Sequence, residues 1–285
     1  MKRLPLLALI GVLAAFFGGC TTVPETGRRQ IIITSPAEEA QMGLSAFAQI
    51  KESEPISTNV MANDRITRIG RRIARSVGRD LPNANWEFVV FESNELNAFA
   101  LPGGKVGVYT GLINLAESDD ELAAVMGHEI AHVSSRHSGE RYSQQILAAG
   151  LTVVADEGMK MAEMDPQKRQ IAMATIGGGA QVGLLKYSRV HESEADTIGV
   201  RFAAGAGYDP RAAITFWQRM QKANEGRAEP WELLSTHPSN ATRIRNLQQI
   251  APKYVPLYLE TKAKIENGTF YDEPASVTDT EIGAP

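Results

Sequence analysis

His128-Glu129-Ile130-Ala131-His132 has the pattern H-E-x-x-H. Four residues of an α-helix advance about 400°, so these two histidines lie about 40° apart on successive turns of one face. Both imidazoles can therefore reach one zinc ion, and Glu129 lies beside them, in position to take a proton from an activated water molecule. Ser118-Asp119-Asp120-Glu121 has the capping-box pattern of a helix start, which predicts that the motif lies within a helix.

A catalytic zinc site needs a third protein ligand and one open position. Cys20 is the single cysteine of the chain, so we expect the third ligand to be a downstream histidine or carboxylate. Within residues 188–196 (S-R-V-H-E-S-E-A-D), Glu192 and Asp196 are spaced i,i+4 on a predicted helix and share a face. One of these carboxylates can bind zinc while the other holds a ligand histidine by its second ring nitrogen.

Three other residues near these motifs are not expected to bind the metal. Glu194 lies on another face of its helix and is predicted to be solvated. His191 is turned about 100° from Glu192, so it does not share the ligand face. His137 follows the H-E-x-x-H helix and is predicted to lie at the surface.

The composition is that of a folded protein with a packed core. Hydrophobic residues make up 43% of the 285 residues and charged residues 22%. These values exclude a disordered chain, a collagen and a coiled-coil rod. The chain has 29 Lys and Arg against 33 Asp and Glu, a net charge of −4. Because nucleic-acid binding usually requires a basic excess, we expect no nucleic-acid partner.

The N-terminus, residues 1–19, resembles a lipoprotein signal peptide. Two basic residues, Lys2 and Arg3, precede an apolar run over residues 4–17, and Gly18-Gly19-Cys20 follows. Small residues before a lone cysteine resemble a bacterial lipobox. The resemblance implies cleavage before Cys20 and lipidation of its thiol.

Two residues near the cysteine bear on this prediction. Phe17 stands where the lipobox pattern prefers leucine. Thr21 follows the cysteine, and a residue other than aspartate at that position implies sorting to the outer membrane in Gram-negative bacteria. An uncleaved N-terminal anchor is the alternative to a signal peptide. No later stretch reaches eighteen consecutive apolar residues, so we expect the rest of the chain not to span a membrane.

The remainder of the chain is predicted to form an extended tether, one main domain and a tail. The tether covers residues 20–34, the domain covers 35–255, and a polar acidic tail over 256–285 is predicted to be disordered. The predicted elements of the domain include helices over 36–51 and from Asn63 or Asp64 to Val77, and strands over 86–92 and 105–109.

The combination of H-E-x-x-H with S-R-x-x-E-x-E-A-D resembles the HtpX and CAAX-prenyl-protease type of zinc metallopeptidase, peptidase family M48. Residues 97–104 (N-A-F-A-L-P-G-G) resemble the strand and turn that precede the metal helix in that family. Ser235-Thr236-His237-Pro238, followed by Arg243, resembles its C-terminal histidine motif. The resemblance covers roughly residues 24–250, and the small periplasmic lipoprotein members are the most similar.

The resemblance implies roles for individual residues. Glu192 would be the third ligand of one zinc ion per chain, with Asp196 as its outer partner. His237 would be a catalytic residue facing the zinc, where it either stabilises the oxyanion or occupies the open position at rest. The backbone of a short segment would pair with substrate as an added strand, and its residues are Asn97, Ala98, Phe99 and Ala100. From the residues alone, His237 before Pro238 is equally an ordinary helix-start histidine.

The resemblance also implies a fold and a function. The fold would be α+β and mainly helical, a zincin with a small β-sheet along the edge of the cleft. The function would be zinc-dependent endoproteolysis of misfolded or misassembled envelope proteins, by a lipid-anchored protein on the periplasmic side of the bacterial outer membrane. The alternative is a non-proteolytic envelope chaperone on a zincin scaffold. The intact Glu129 argues against it, since a scaffold needs the ligands but not the general base.

Two further patterns leave alternatives open. An arginine row accompanies the apolar face of the helix that ends at Val77, and it consists of Arg65, Arg68, Arg72, Arg75 and Arg79. Such a row is typical of a solvated face, but it can also contact an anionic membrane surface. The segments 146–155 and 171–185 are predicted to be helices that either pack on the domain or cover the cleft, with Gly177-Gly178-Gly179 as a hinge.

Overall fold

The computed structural model describes residues 20–81, 84–238 and 241–271. The predicted signal peptide, residues 1–19, lies outside the described residues. In chain order the strands and α-helices are β1 (Cys20–Thr22), β2 (Arg29–Ile31), α1 (Pro36–Ser53), α2 (Val60–Val77), β3 (Glu87–Phe91), β4 (Ala98–Leu101), β5 (Lys105–Tyr109), α3 (Thr110–Leu115), α4 (Asp119–Ser134), α5 (His137–Met161), α6 (Pro166–Gly205), α7 (Ala212–Ala223), α8 (Glu232–Thr236), α9 (Ala241–Ile250) and α10 (Val255–Glu266).

The chain divides into two compact units. Of the described residues, unit 1 comprises 20–36 and 136–191, and unit 2 comprises those from 37 to 135 and from 192 to 271. α6 is continuous and contributes residues to both units. The fold is therefore α+β and mainly helical, as predicted. Within the described part of the chain, no helix combines the length and the apolar character needed to span a bilayer.

Unit 1 contains a two-stranded sheet and two long helices. β1 and β2 pair antiparallel, with Cys20 opposite Ile31. The residues after β2 are bound to the start of α5: the backbone N–H of Ile33 donates to Ser143 Oγ at 2.9 Å, and Arg136 donates to the carbonyl of Thr34 at 2.7 Å. The segment over 20–34, predicted to be an extended tether, is thus a hairpin with tertiary contacts. Its hydrogen bonds to the start of α5 join distant parts of the chain, and the sequence does not reveal them. The segments 146–155 and 171–185 lie in the helices of this unit.

Unit 2 contains a three-stranded sheet in the order β3-β5-β4. β3 and β5 are parallel, with Glu87 opposite Lys105, while β4 is antiparallel to β5, with Ala98 opposite Val108. β4 is therefore an edge strand. The predicted strand over 105–109 is confirmed, and the one predicted over 86–92 covers 87–91.

α4 lies at the centre of unit 2. It packs against β4, α2 and α7, and every residue over 121–134 except His132 is buried. Gly127 of α4 faces Gly199 of α6 so closely that a Cβ on Gly199 would lie 2.8 Å from the backbone of His128. This approach of two helix backbones brings the H-E-x-x-H motif beside the C-terminal part of α6.

The helices predicted over 36–51 and up to Val77 are present as α1 and α2, and only their ends differ from the prediction. α1 begins at Pro36, as predicted, and extends to Ser53. α2 begins at Val60, three residues before the predicted start, because Asn59 is the N-cap and its side chain accepts a hydrogen bond from the N–H of Ala62.

The prediction of a disordered tail over 256–285 is wrong for its first part. α10 occupies Val255–Glu266, and a 3₁₀ turn follows at Thr269–Tyr271. Thr261 is buried, and Ile265 lies so close to Gly207 that a Cβ there would be 2.4 Å from its Cδ1. This packing against the end of α6 is a tertiary effect that polar composition does not predict. Residues 272–285 lie outside the described residues.

Part of the arginine row on α2 is bound to the protein. Arg65 and Arg68 donate to the two oxygens of Asp119, at 2.6 and 2.8 Å, at the first residue of α4. Burial raises the pKa of Asp119, but these two guanidinium groups outweigh it and lower the pKa overall. Arg72 lies over the ring of Tyr208. Arg68 is nonetheless 49% exposed and Arg65 29% exposed, so these arginines form contacts on a face that remains partly solvated, as predicted.

We predict that Gly199→Ala lowers the free energy of unfolding by about 1–3 kcal/mol, the usual cost of overpacking a close contact. The added methyl meets the backbone of His128, so the two helices must separate. Gly177→Ala is the matched control on the same helix, since none of the atoms that the structure describes lies within 4 Å of its Cβ position. In the control the helix propensity of alanine gives a gain of up to about 1 kcal/mol. Urea denaturation followed by circular dichroism measures both, and a Gly199→Ala variant as stable as the wild type would contradict the prediction.

Candidate metal centre

α4 carries the H-E-x-x-H motif as the sequence predicts. Ser118 is its N-cap and accepts a hydrogen bond from the N–H of Glu121 at 3.2 Å. His128 and Glu129 are buried, and the Nε2 atoms of His128 and His132 are 3.1 Å apart. The two imidazoles therefore converge on one point, as i,i+4 spacing requires.

α6 brings two carboxylates to the same place. Both Glu192 and Asp196 are buried. Glu192 Oε2 is 3.4 Å from His128 Nε2, and its Oε1 is 3.4 Å from His132 Nε2. Asp196 Oδ1 is 3.1 Å from His128 Nδ1, the ring nitrogen on the far side. One carboxylate thus faces the converging nitrogens, and the other binds the outer nitrogen of a histidine, an arrangement usual around metal sites.

His237 joins this group from outside both helices. It is the C-cap of α8 and its N–H donates to the carbonyl of Leu233 at 2.9 Å, so it follows a helix rather than starting one. Its Nδ1 lies 3.3 Å from His128 Nε2 and 3.0 Å from Glu192 Oε1. Its Nε2 lies 3.5 Å from Glu129 Oε2. The imidazole therefore points toward both the ligand atoms and the predicted general base.

The four side chains could hold one metal ion. One ligand atom each from His128, His132, Glu192 and His237 lies within 4.8 Å of all the others. Tetrahedral zinc with bonds of about 2.0–2.1 Å places its ligand atoms roughly 3.3 Å apart, and the close pairs here are separated by 3.0–3.4 Å. Glu129 Oε1 is buried and has no hydrogen-bond partner among the described residues.

Burial and mutual contact shift the titration of these groups. Burial raises the pKa of Glu129 and holds the pKa of His132 well below its usual value. Burial also acts against ionised Glu192, but hydrogen bonds from the three histidines outweigh it and lower the pKa. A deprotonated carboxylate and a neutral imidazole are the forms that bind a metal.

His128 differs from His132 in its titration. Burial and the nearby Arg243 each lower the pKa of His128, but hydrogen bonds to Asp196 and Glu192 outweigh them and raise it to about 9. Because a ligand nitrogen must be deprotonated, metal binding at His128 releases a proton at neutral pH.

Arg243 and Trp217 belong to the centre, although the sequence assigned no role to either. Arg243 binds Asp196 through two contacts, Nε to Oδ2 at 2.9 Å and a terminal nitrogen to Oδ1 at 2.7 Å. Its guanidinium lies 3.6 Å from the centre of the Trp217 ring, which also packs edge-on against His128. The only indication in the sequence was that Arg243 follows the histidine motif. Helical periodicity cannot relate Arg243, which lies in α9, to residues on α6.

Two predictions about neighbouring residues are wrong. Glu194 was predicted to be solvated, but it is only 6% exposed. His137 was predicted at the surface but is buried, and its ring stacks on His191 at 4.2 Å between ring centres. Helical geometry predicts the direction of a side chain but not which neighbouring residues bury it. The exposure of both residues was therefore predicted wrongly.

The predicted substrate-binding segment lies in and just before the edge strand β4. Phe99 packs its ring against Phe91 and Phe47, with ring centres 6.0 and 6.3 Å apart, so its side chain belongs to the aromatic core. The carbonyl of Asn97 accepts from the N–H of Tyr109 at 3.1 Å. Cys20, the predicted lipidation site, begins β1, and its side chain lies outside the described ones.

Comparison with known proteins agrees with this centre. The profile of peptidase family M48 matches residues 61–251, which include all four candidate ligands. The beta-barrel assembly-enhancing protease of Escherichia coli K12 is 29% identical over 254 residues, covering 88% of this chain and 51% of that protein. The putative beta-barrel assembly-enhancing protease of Vibrio cholerae is 32% identical over 224 residues, covering 78% of this chain and 46% of that protein.

A mitochondrial relative is similar over more of its own length. The mitochondrial metalloendopeptidase OMA1 of Schizosaccharomyces pombe is 30% identical over 261 residues, covering 90% of this chain and 72% of that protein. The chain spans about half the length of the bacterial relatives it matches. With the H-E-x-x-H helix, the downstream carboxylate and the family match in agreement, the chain belongs to peptidase family M48, a family of metallopeptidases.

Proposed function

We propose that this protein is a zinc-dependent metalloendopeptidase with one zinc ion per chain. The observation that carries the proposal is the convergence of His128, His132 and Glu192, with separations of 3.1–3.4 Å between their ligand atoms, beside the buried carboxylate of Glu129. The names of the relatives, a protease and a metalloendopeptidase, support the same activity.

His128, His132 and Glu192 would hold the metal, which would supply Lewis acidity to activate water and polarise the peptide carbonyl. Glu129 acts as the general base: it takes the proton of the attacking water and later gives it to the leaving amine. Burial raises the pKa of Glu129, which brings this carboxylate closer to the operating pH. Asp196 holds His128 by Nδ1, so that Nε2 faces the ligand group, and Arg243 holds Asp196 by both oxygens.

With the metal bound, His237 would hold it as a fourth ligand in the resting enzyme. Its Nδ1 lies 3.0 Å from Glu192 Oε1 and 3.3 Å from His128 Nε2, separations similar to those between the other ligand atoms. A catalytic zinc needs one open position, so four protein ligands would close the site. Movement of the segment after α8 would then open the site and leave the imidazole free to serve as an oxyanion donor.

Peptide substrates bind by adding a strand to β4. Among the described strands, β4 pairs only with β5, so its outer edge can accept a substrate backbone. The side chain of Phe99 is directed into the aromatic core, so residues 97–100 would contribute their backbone groups rather than this ring. The N–H of Leu233 in α8 donates to the carbonyl of Leu96 at 3.4 Å, which connects the helix before His237 to this strand.

The protein acts in the bacterial cell envelope on misfolded or misassembled envelope proteins. The signal-peptide pattern over 1–19 and Cys20 supports a lipid anchor on the periplasmic side of the outer membrane. The name of the bacterial relatives, beta-barrel assembly-enhancing protease, supports a role in envelope quality control. A non-proteolytic chaperone is disfavoured because Glu129 is present and faces the ligand group.

We predict that Glu192→Ala lowers zinc affinity by more than about 100-fold, because losing even an outer partner of a metal ligand costs up to that much. Glu260→Ala is the control, since this carboxylate is 65% exposed and lies outside the centre. Zinc content after dialysis against a chelator measures the effect. Full zinc occupancy in Glu192→Ala would remove this residue from the ligand set.

We predict that Glu129→Gln keeps its zinc but hydrolyses an unfolded protein such as casein about 10²–10⁴-fold more slowly, the usual cost of losing a general base. The amide has nearly the same shape as the carboxylate but cannot accept the proton. Zinc content and turnover are measured on the same preparation. Turnover like that of the wild type would show that another group is the base.

We predict that His237→Ala retains zinc and hydrolyses casein faster than the wild type, because the fourth position becomes open. Initial rates at saturating zinc measure this effect. A loss of about 10²–10³-fold would instead identify His237 as the oxyanion donor. Unchanged turnover together with unchanged zinc affinity would exclude both roles.

A further inference from the structure

Trp217 belongs to the centre, but the proposed mechanism gives it no role. It lies in α7 and is only 1% exposed. The guanidinium carbon of Arg243 lies over its ring, 3.6 Å from the ring centre, and the same ring packs edge-on against His128 at 5.6 Å between ring centres. Trp217, Arg243 and His128 all lie within unit 2. Trp217 therefore contacts both a candidate ligand and the arginine that binds Asp196.

The guanidinium of Arg243 is bound along its edge by hydrogen bonds. Nε donates to Asp196 Oδ2 at 2.9 Å, and one terminal nitrogen donates to Oδ1 at 2.7 Å. The other terminal nitrogen donates to the carbonyl of His237 at 3.2 Å. The N–H groups of a guanidinium lie in its plane, so these bonds restrain movement within the plane more than tilting out of it. The ring of Trp217 lies at van der Waals distance from this plane and limits the tilt on that side.

Glu192 is a competing acceptor for the same guanidinium. Its Oε2 lies 3.2 Å from the terminal nitrogen of Arg243 that binds the carbonyl of His237, but without the alignment of a hydrogen bond. Arginine binds carboxylates strongly through paired N–H donors, so a guanidinium that turned toward Glu192 would be held there. A carboxylate oxygen that accepts such bonds has fewer lone pairs left for a metal. Glu192 is therefore most available as a ligand while Arg243 stays on Asp196.

The pairing of Arg243 with Asp196 also affects the orientation of His128. Asp196 Oδ1 accepts from Arg243 at 2.7 Å and lies 3.1 Å from His128 Nδ1. A carboxylate on the outer nitrogen fixes the ring orientation of a ligand histidine. Without Arg243, the carboxylate of Asp196 could turn, and His128 Nε2 would lose its fixed direction toward the other ligand atoms.

The chemistry of the indole ring fits this position better than apolar volume alone. An aliphatic side chain could fill the same space, but only an aromatic face adds an attraction for a cation. This attraction is strongest for tryptophan and increases when the cation is desolvated. The side chain of Arg243 is 5% exposed, so it is the desolvated case.

We propose that Trp217 is a positioning residue that keeps Arg243 on Asp196 and away from Glu192. In this way it leaves the carboxylate of Glu192 free for the metal and keeps His128 in its orientation. The proposal rests on the assignment of His128 and Glu192 as ligands in the proposed function. Trp217 itself touches neither the metal position nor the substrate, so its effect passes through the guanidinium.

The test measures zinc affinity in the full mature chain by competition with a chromophoric chelator, and the melting temperature by circular dichroism. Trp217→Leu removes the ring, and Trp217→Phe keeps an aromatic face. Phe47→Leu is the matched control, since Phe47 is also 1% exposed and lies under the cation of Lys51, but packs with Phe91 and Phe99. We expect zinc affinity to fall about 10-fold in Trp217→Leu, the lower end of the cost of losing an outer partner of a metal ligand. Trp217→Phe should retain most of the affinity, and Phe47→Leu all of it.

Two further measurements show whether Trp217 acts through Arg243. In an Arg243→Met background, Trp217→Leu should cost no further zinc affinity, because the effects of residues that act through one another are not additive. In a crystal structure of metal-free Trp217→Leu, we expect the guanidinium to have left at least one oxygen of Asp196 and to donate to Glu192. That structure gives the position of Arg243 independently of zinc.

Unchanged zinc affinity in folded Trp217→Leu would overturn the proposal, as would an equal loss in Trp217→Phe or Phe47→Leu, whatever happens to the melting temperature. A further loss in the Arg243→Met background, or a crystal structure with Arg243 still on both oxygens of Asp196, would also overturn it. Trp217→Met, whose flexible chain fills more of the indole volume, replaces Trp217→Leu if that variant does not fold. Because no measurement uses proteolysis, an inactive wild type would defeat the proposed activity and leave this inference standing.

Discussion

The close contact of α4 and α6 at Gly127 and Gly199 is the constraint on which the rest of the centre depends. A side chain at either position would meet backbone within 3 Å, so only glycine allows the two helices to approach this far. The approach brings the histidines of one helix within 3.4 Å of the carboxylate of Glu192 on the other. The helix caps and the edge strand β4 then add to a geometry that this contact determines.

The approach of the two helices buries two carboxylates, and Arg243 and the histidines stabilise their charges. Glu192 and Asp196 are both buried, and unpaired buried carboxylates are strongly destabilising. Arg243 neutralises Asp196 with two contacts and lies 3.2 Å from Glu192 Oε2. Hydrogen bonds from His128, His132 and His237 favour the ionised form of Glu192, so the residues that stabilise this buried carboxylate are the same ones that form the candidate metal centre.

The features predicted correctly from the sequence are those that short-range rules determine. The i,i+4 spacing and the Ser118 cap predicted the metal helix, and the same spacing placed Glu192 and Asp196 on one face. The missed features depend on contacts between distant segments. The role of Arg243, the burial of His137 and the order of residues 256–271 all result from tertiary packing, which no periodicity or composition within those segments records.

The glycine run of α6 is a weak point of this long helix. Gly177, Gly178 and Gly179 lie within the continuous helix, and no described atom lies within 4 Å of their Cβ positions, so the described packing does not require glycine there. Each weakens the helix by about 1 kcal/mol relative to alanine, which makes this the easiest place for α6 to bend. The run is twelve or more residues before His191, about 18 Å along the axis. Because His191 is held to α5 by a hydrogen bond to Glu140 and by stacking on His137, we expect a bend at the glycines to end before His191.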